Sequence, residues 1–304
     1  MTDVSHPTAP VAPVPPGPTA RPAQDERLKD VSLLTRIMRR PELGALAGLV
    51  LVTIFFLSTA DASMFTLAGL MNILSPASQL GILAIAAALL MIGGEFDLSI
   101  GSMVAFAGLI FGSFLTLTGW PLLLAIAATF VVAALLGGLN GQIVIRTKLP
   151  SFIVTLAFLF ILRGLSLVGL KWATGGSTQM RGIGDKAGEG FVRELFSGNA
   201  LEGLFAWLAA HDVVGKFPNG TPMVTGVPVS ILWFILFAAV ATWILLRTRA
   251  GNWIFAAGGD PNAARNSGVP VDRVKTALFM LTACAAALVA ILTVLDAGAT
   301  DSRR

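Results

Sequence analysis

The sequence predicts an all-α, polytopic membrane protein with about seven transmembrane helices. Of its 304 residues, 55% are hydrophobic and only 12% are charged, whereas a soluble domain carries about 25% charged residues. The mean hydropathy is +0.80. Long apolar runs recur along the chain, and a membrane-spanning helix needs about 20 predominantly apolar residues. The seven runs are residues 43–57, 80–92, 102–117, 122–145, 152–170, 229–246 and 276–295.

Residues 1–40 are predicted to form a disordered cytoplasmic tail. Residues 1–22 contain seven of the sixteen prolines and almost no large apolar side chains, so they cannot build a packed core. Arg36, Arg39 and Arg40 then precede the first apolar run. The tripeptide at residues 60–62, Ala-Asp-Ala, resembles a signal-peptidase site. A cleaved signal is therefore one alternative, but the long leader and the later spans favour a retained anchor.

The second apolar run is short for a membrane span. It approaches the required length only if it includes flanking residues out to Ala77 and Gly94. Because a span needs about 17–25 residues, we expect this helix to be broken or tilted.

Basic residues indicate how the chain is oriented. With the N-terminus inside, the main cytoplasmic segments are the tail and residues 146–150 and 247–275. They carry thirteen of the 21 lysines and arginines, and such residues concentrate on cytoplasmic loops. The opposite side then holds a long periplasmic loop, residues 171–228. Its short apolar piece, residues 203–211, cannot span a bilayer and is expected to lie at the interface or to pack on protein.

Residues 247–275, here called the connecting segment, contain strong helix signals. Asp260 can cap a helix by accepting a backbone N–H, and Pro261 suits the first helical position. Gly268 can adopt the left-handed conformation that ends a helix, and Pro270 stops its continuation. A short helix is therefore expected from Asp260 to Gly268. It is too short to be stable alone, so either a partner protein holds it or it is simply a tight, well-capped loop.

Two carboxylates, Glu95 and Asp97, interrupt the apolar sequence between the second and third runs. Carboxylates near membrane depth are costly and usually face a cavity or a partner. Gly93, Gly94 and Gly101 would let the backbone turn or unwind beside them. One interpretation is a broken-helix element near a solute path. The other is a short loop with an exposed glutamate and a helix-capping aspartate.

The later spans contain further polar residues. Gly137 and Gly141 form a G-x-x-x-G face that allows helices to approach closely. Asn140, between them, could bond across helices or to a solute hydroxyl, and the former is favoured. Arg163 lies inside a span, where it is expected to be paired or to extend to the outer interface, or else to line a pathway.

Three stretches resemble the permeases of ABC importers for monosaccharides, the ribose/xylose/galactose-type family. They are FAAGGDPNAARNSGVPVDRVK at residues 255–275, GGEFDLSIGSMVAFAG at residues 93–108, and LPSFIVTL leading to Arg163-Gly164. The resemblance runs from about residue 70 to 304. It implies that residues 41–304 are the transmembrane permease domain. Family members have about ten spans, so the chain is expected to be C-terminally truncated.

The resemblance also implies partners and residue roles. The partners would be a cytosolic ABC ATPase that binds ATP and Mg, a periplasmic sugar-binding protein and a second permease copy, in the lipid bilayer of the bacterial inner membrane. The residues expected to couple to the ATPase are Gly259, Asp260, Pro261, Ala263, Ala264, Arg265, Ser267 and Gly268. The candidates for a solute pathway or gate are Glu95, Asp97, Ser99, Asn140, Thr155 and Arg163.

The sequence does not indicate catalysis by this chain. It has one cysteine and two histidines, and it lacks the G-x-x-x-x-G-K-[ST] pattern that cradles ATP phosphates. No metal, cofactor or nucleic-acid partner is therefore expected for the chain itself. The expected function is ATP-driven import of a pentose or hexose. The alternatives are an ion-coupled secondary transporter that uses Glu95 and Asp97, and a membrane scaffold that does not transport.

Overall fold

The computed structural model describes residues 42–177, 180, 182–217 and 220–301. The predicted tail, residues 1–40, lies outside this part of the chain. The described residues fall into two units, which divide after Ala60. In the first unit, α1 (Glu42–Thr59) is an apolar helix whose side chains are mostly exposed. The hydroxyls of Thr53 and Thr59 donate to backbone carbonyls one turn earlier in the same helix.

The long helices of the second unit follow the remaining apolar runs. They are α2 (Leu67–Ile92), α3 (Ile100–Thr116), α4 (Leu122–Thr147), α5 (Ser151–Ala173), α9 (Val229–Arg247) and α12 (Val271–Asp301). Among the described residues, five stretches are long and apolar enough to cross a membrane: α2, α4, α5, α9 and Val271–Gly298 of α12. The apolar parts of α1 and α3 are shorter, at the lower limit of about 17 residues for a span. The all-α, polytopic prediction is confirmed.

Helix α2 differs from the prediction at its N-terminal end. A 3₁₀-helix (Ala62–Phe65) precedes it, and α2 begins after Thr66, whose hydroxyl accepts the N–H of Gly69. The helix then runs for 26 residues and includes Pro76. It is therefore long enough to span a membrane, and it is continuous rather than broken. Prolines are tolerated in membrane helices, because neighbouring groups and local adjustments satisfy the backbone that they free.

Smaller elements lie between α5 and α9. They are α6 (Ile183–Ala187), α7 (Phe191–Phe196), β1 (Asn199–Ala200), α8 (Glu202–Ala210) and β2 (Val227–Pro228). The two short strands pair antiparallel, with Ala200 opposite Val227. Helix α8 contains the short apolar piece noted in the sequence. Its Phe205 and Ala209 are buried in a cluster with Val224, which supports packing on protein.

Helix α12 lies at the centre of the second unit's core. Phe279, Ala286 and Ile291 on this helix are completely buried. Close packing against α4 depends on the predicted G-x-x-x-G pair. A Cβ added at Gly137 would lie 2.5 Å from the Phe279 carbonyl oxygen, and one at Gly141 would lie 3.1 Å from Thr276 Cα. The prediction of a close helix contact at this pair is confirmed.

The connecting segment contains two helices. Thr248 caps α10 (Arg249–Gly259), and Asp260 separates this helix from α11 (Pro261–Asn266). Only α11 was predicted. A signal for α10 exists in the buried Gly251, Ile254 and Ala257, since residues three apart lie on one helical face.

Candidate functional site

Residues 93–99, here called the polar loop, join α2 to α3 and are held by side chains of α5. The N–H of Phe96 donates to Ser151 Oγ at 3.0 Å, and the N–H of Leu98 donates to Thr155 Oγ1 at 3.1 Å. Ser151 and Thr155 are buried and four residues apart, so they lie on one face of their helix. The loop therefore satisfies part of its non-helical backbone with hydroxyls from a neighbouring span.

Asp97 forms the centre of a polar network. Its Oδ1 accepts the Ser99 N–H at 2.8 Å and the Ser99 hydroxyl at 2.6 Å. Its Oδ2 accepts the hydroxyl of Thr282 in α12 at 2.9 Å. Helix α3 has no side-chain hydrogen bond at its N-cap, Ser99, so Asp97 does not cap the helix in the expected sense. It instead joins the loop to the most buried helix.

Asn140 extends this network into α4. Its Nδ2 lies 3.4 Å from Ser99 Oγ, and the residue is only 2% exposed. Its Oδ1 is buried with no hydrogen-bond partner among the described residues. An unsatisfied buried acceptor costs free energy. The contact with Ser99 agrees with the expected bond across helices.

Glu95 forms an ion pair with a residue 180 positions away. Lys275 Nζ donates to Glu95 Oε1 at 2.5 Å. The Lys275 and Glu95 side chains are 12% and 13% exposed. The interpretation of Glu95 as an exposed loop residue is therefore wrong. Charges this far from water require a partner, and each residue supplies one for the other.

The connecting segment has the predicted cap geometry. Asp260 Oδ1 accepts the N–H groups of Asn262 and Ala263 at 2.9 and 3.1 Å. Pro261 occupies the first turn, and Gly268 has a φ of +83° just beyond the helix. The predicted short helix is confirmed, with Pro261–Asn266 as its helical residues.

A small core holds the connecting segment together. Ala257, Ala264 and Val271 are buried against one another, so α10, α11 and the first turn of α12 pack as a unit. Arg265 adds an exposed ion pair with Asp272 at 2.7 Å. Ala264 therefore faces its own chain, whereas the other residues expected to couple to an ATPase are wholly or partly exposed: Gly259, Asp260, Pro261, Ala263, Arg265, Ser267 and Gly268.

The connecting segment touches the polar loop through glycine backbone. A Cβ added at Gly258 would collide with the carbonyl oxygen of Ile92, and one added at Gly94 would lie 3.2 Å from Gly258 Cα. Gly94 also has a φ of +85°, a conformation that L side chains rarely adopt. Helix α10 thus approaches the loop more closely than side chains would permit.

Arg163 lies away from this network. It is exposed on α5, eight residues beyond Thr155, which is about 12 Å along a helix axis. Within the described part of the chain it has no hydrogen bond or ion pair. The structure therefore brings together Glu95, Asp97, Ser99, Asn140 and Thr155 but not Arg163.

Several residues of the network were not identified from the sequence. Ser151 could have been found, because it precedes Thr155 by one helical turn and the two are the polar side chains of the LPSFIVTL stretch. Lys275 counted only as a basic residue of the connecting segment. Thr282 and Gly258 gave no signal that distinguishes them from ordinary span and loop residues.

The comparisons with known proteins agree on one family. Residues 69–303 match the family model described as the permease component of the branched-chain amino acid transport system. The xylose transport system permease protein XylH of Escherichia coli K12 is 31% identical, with 81% of this chain and 70% of that protein covered. The ribose import permease protein RbsC of the same strain is 31% identical, with coverage of 81% and 67%.

A third relative imports a different solute. The autoinducer 2 import system permease protein LsrD of Escherichia coli O9:H4 is 30% identical over 258 residues, which cover 85% of this chain and 69% of that protein. No solved structure gives a significant match.

Proposed function

The chain belongs to the family of branched-chain amino acid transport system permease components, and we propose that it is the membrane-spanning subunit of an ATP-driven importer of a pentose or hexose. The observation that carries this proposal is the likeness to the xylose and ribose permeases over about four fifths of the chain. The autoinducer 2 relative widens the class to other small polar metabolites.

Family membership and the apolar helices make the chain a multi-pass inner-membrane protein. We propose in addition that its N-terminus and its connecting segment are cytoplasmic, because these regions are rich in lysine and arginine. Residues 171–228 would then lie on the periplasmic side.

The exposed part of α11 is the proposed docking site for a cytosolic ATPase. Asp260, Ala263, Arg265 and Ser267 lie together on a well-capped helix that is held by its own small core. ATP and Mg would bind to that partner. Binding of ATP would move α11 and shift the spans between outward-open and inward-open states, provided that ATP binds to the two states of the complex with unequal affinity.

A periplasmic sugar-binding protein and a second permease copy complete the proposed assembly. The binding protein would set most of the sugar specificity. Small and amide-bearing residues of the spans would provide a weakly binding path for the solute.

The structure argues against the ion-coupled alternative. Glu95 is already neutralised by Lys275, and Asp97 already accepts three hydrogen bonds from Ser99 and Thr282. Neither carboxylate is therefore held ready for a transported ion.

Transport by proteoliposomes tests the proposal. The chain would be reconstituted with its ATPase and binding protein, and labelled xylose and ribose would be supplied as solutes. Uptake of either sugar that requires ATP is the expected result. Uptake that an uncoupler abolishes and that ATP does not affect would favour ion coupling, and no uptake of any solute with an active ATPase would favour a scaffold.

A further inference from the structure

Two contacts connect the connecting segment to the polar loop. The first is the largely buried ion pair between Lys275 and Glu95. The second is the backbone contact of Gly258 with Gly94 and with Ile92, the last residue of α2. They lie on different elements of the segment, since Gly258 belongs to α10 and Lys275 to the start of α12. Two separated contacts resist rotation as well as translation, so the loop should follow the segment.

The connecting segment is itself held as a unit. Ala257, Ala264 and Val271 share one buried cluster. The N–H of Val269 also donates to the Ala264 carbonyl at 3.0 Å, across the turn that ends α11. A displacement applied to α11 would therefore move α10 and the first turn of α12 with it.

The polar loop forms hydrogen bonds with three spans, α4, α5 and α12. Its backbone bonds to Ser151 and Thr155 of α5, and its Asp97 bonds to Thr282, seven residues after Lys275 on α12. The Ser99 hydroxyl reaches Asn140 of α4 at 3.4 Å. One short loop thus has side-chain or backbone bonds to each of these helices.

We propose that Lys275, Glu95 and Gly258 are positioning residues that transmit movement of the docked helix α11 to the polar loop, and through it to α4 and α5. This inference rests on the proposed function, because it requires a partner that moves α11. The ion pair remains closed while the segment and loop move together. Glu95 therefore serves as a mechanical link between the ATPase side and the spans, not as a solute ligand.

A stabilising ion pair without this role would behave differently. Its loss would lower the stability of the whole chain and reduce docking and transport together. A transmitting pair, when broken, leaves the exposed surface of α11 in place and separates ATP hydrolysis from transport.

Charge reversal distinguishes these cases. Lys275→Glu and Glu95→Lys each break the pair, the double exchange Glu95→Lys/Lys275→Glu restores it, and Lys275→Gln removes one charge more mildly. Lys216→Glu is the matched control, since it breaks the exposed ion pair of Lys216 with Asp212, which lies far along the chain in residues 171–228. Each variant is reconstituted with the ATPase and binding protein, and ATPase co-purification, basal ATP hydrolysis and uptake of xylose and ribose are measured.

We expect each single reversal to lower uptake per ATP hydrolysed by about tenfold, a typical size for a coupling effect. ATPase co-purification and basal hydrolysis should remain at the level of the control, and the double exchange should recover most of the uptake. Single reversals with normal uptake per ATP would overturn the inference. So would loss of co-purification in parallel with uptake.

Hydrogen exchange on the chain alone separates this inference from the proposed function. In lipid nanodiscs without partners, Lys275→Gln should accelerate exchange of the Phe96 and Leu98 amides, which bond to α5. If exchange is faster in the variant but the wild-type chain imports neither sugar, the linkage is supported and the proposed substrate class is contradicted. Unchanged exchange at both amides would contradict the linkage whatever the chain transports.

Discussion

Thr282, in the largely buried helix α12, donates its hydroxyl to Asp97 Oδ2 at 2.9 Å, across 185 positions of sequence. The same hydroxyl lies 2.9 Å from the Phe279 carbonyl of its own helix. Thr282 is fully buried, whereas Asp97 is only partly buried. This bond joins the polar loop to α12, and its loss leaves a carboxylate oxygen without that donor.

Thr282→Val should therefore destabilise the protein with little change of shape. A hydrogen bond to a charged group contributes about 1.5–3 kcal/mol to stability. Thermal unfolding in detergent, followed by circular dichroism, measures the effect. Thr53→Val is the matched control, because its exposed hydroxyl bonds only within α1. Equal melting temperatures for the two variants would contradict the assigned role of Thr282.

Gly137→Ala should also lower stability, because a Cβ there would lie 2.5 Å from the Phe279 carbonyl oxygen and 2.8 Å from Ala283 Cβ. Overpacking of a tight contact costs about 1–3 kcal/mol. Gly164→Ala provides the comparison, since a Cβ at that position in α5 meets no atom within 4 Å. A melting temperature that falls as much for Gly164→Ala as for Gly137→Ala would disprove the close contact of α4 with α12.

The main elements of the fold were predictable because each depends on local sequence. The apolar runs are long enough to mark the helices without knowledge of their packing. Asp260, Pro261 and Gly268 fix α11 by backbone chemistry within nine residues. Helix α10 was missed because its alanines and glycines are weakly apolar, and the start of α2 was missed because the continuous apolar run begins only at residue 80.

The candidate site was less accessible from sequence. Glu95 and Asp97 attracted attention as costly charges, but their partners Lys275 and Thr282 lie about 180 positions away in the chain. No local pattern specifies which distant span supplies a partner. Arg163 attracted attention for the same reason as the carboxylates, yet it lies on the exposed surface of α5.

Asp260→Ala should loosen α11 and weaken binding of the ATPase. Loss of an aspartate cap costs about 0.5–2 kcal/mol of helix stability, and the Asn262 and Ala263 amides should exchange faster. Asp260→Asn keeps a capping oxygen and should behave nearly as the wild type. If the two variants bind the ATPase equally weakly, the charge of Asp260 and not the cap is what matters, and the expected mechanism is wrong.

Arg265→Glu should abolish ATPase association without loss of membrane insertion. The pair of Arg265 with Asp272 is exposed, and such pairs contribute only about 0–1 kcal/mol to stability, so the fold should survive. Gly268→Val should have the same effect on association through strain at a φ of +83°. Co-purification with the ATPase measures both, with Lys216→Glu as the control. Normal co-purification of Arg265→Glu would count against docking at α11.

The cytoplasmic position of the connecting segment is the claim on which docking and transmission both depend. The single cysteine of the chain allows a direct measurement. In a Cys284→Ser background, Ser267→Cys is labelled with a membrane-impermeant maleimide, and Asp212→Cys marks the proposed periplasmic loop. We predict that Ser267→Cys reacts in inside-out vesicles and Asp212→Cys reacts in spheroplasts. Labelling of Ser267→Cys in intact spheroplasts would contradict the account.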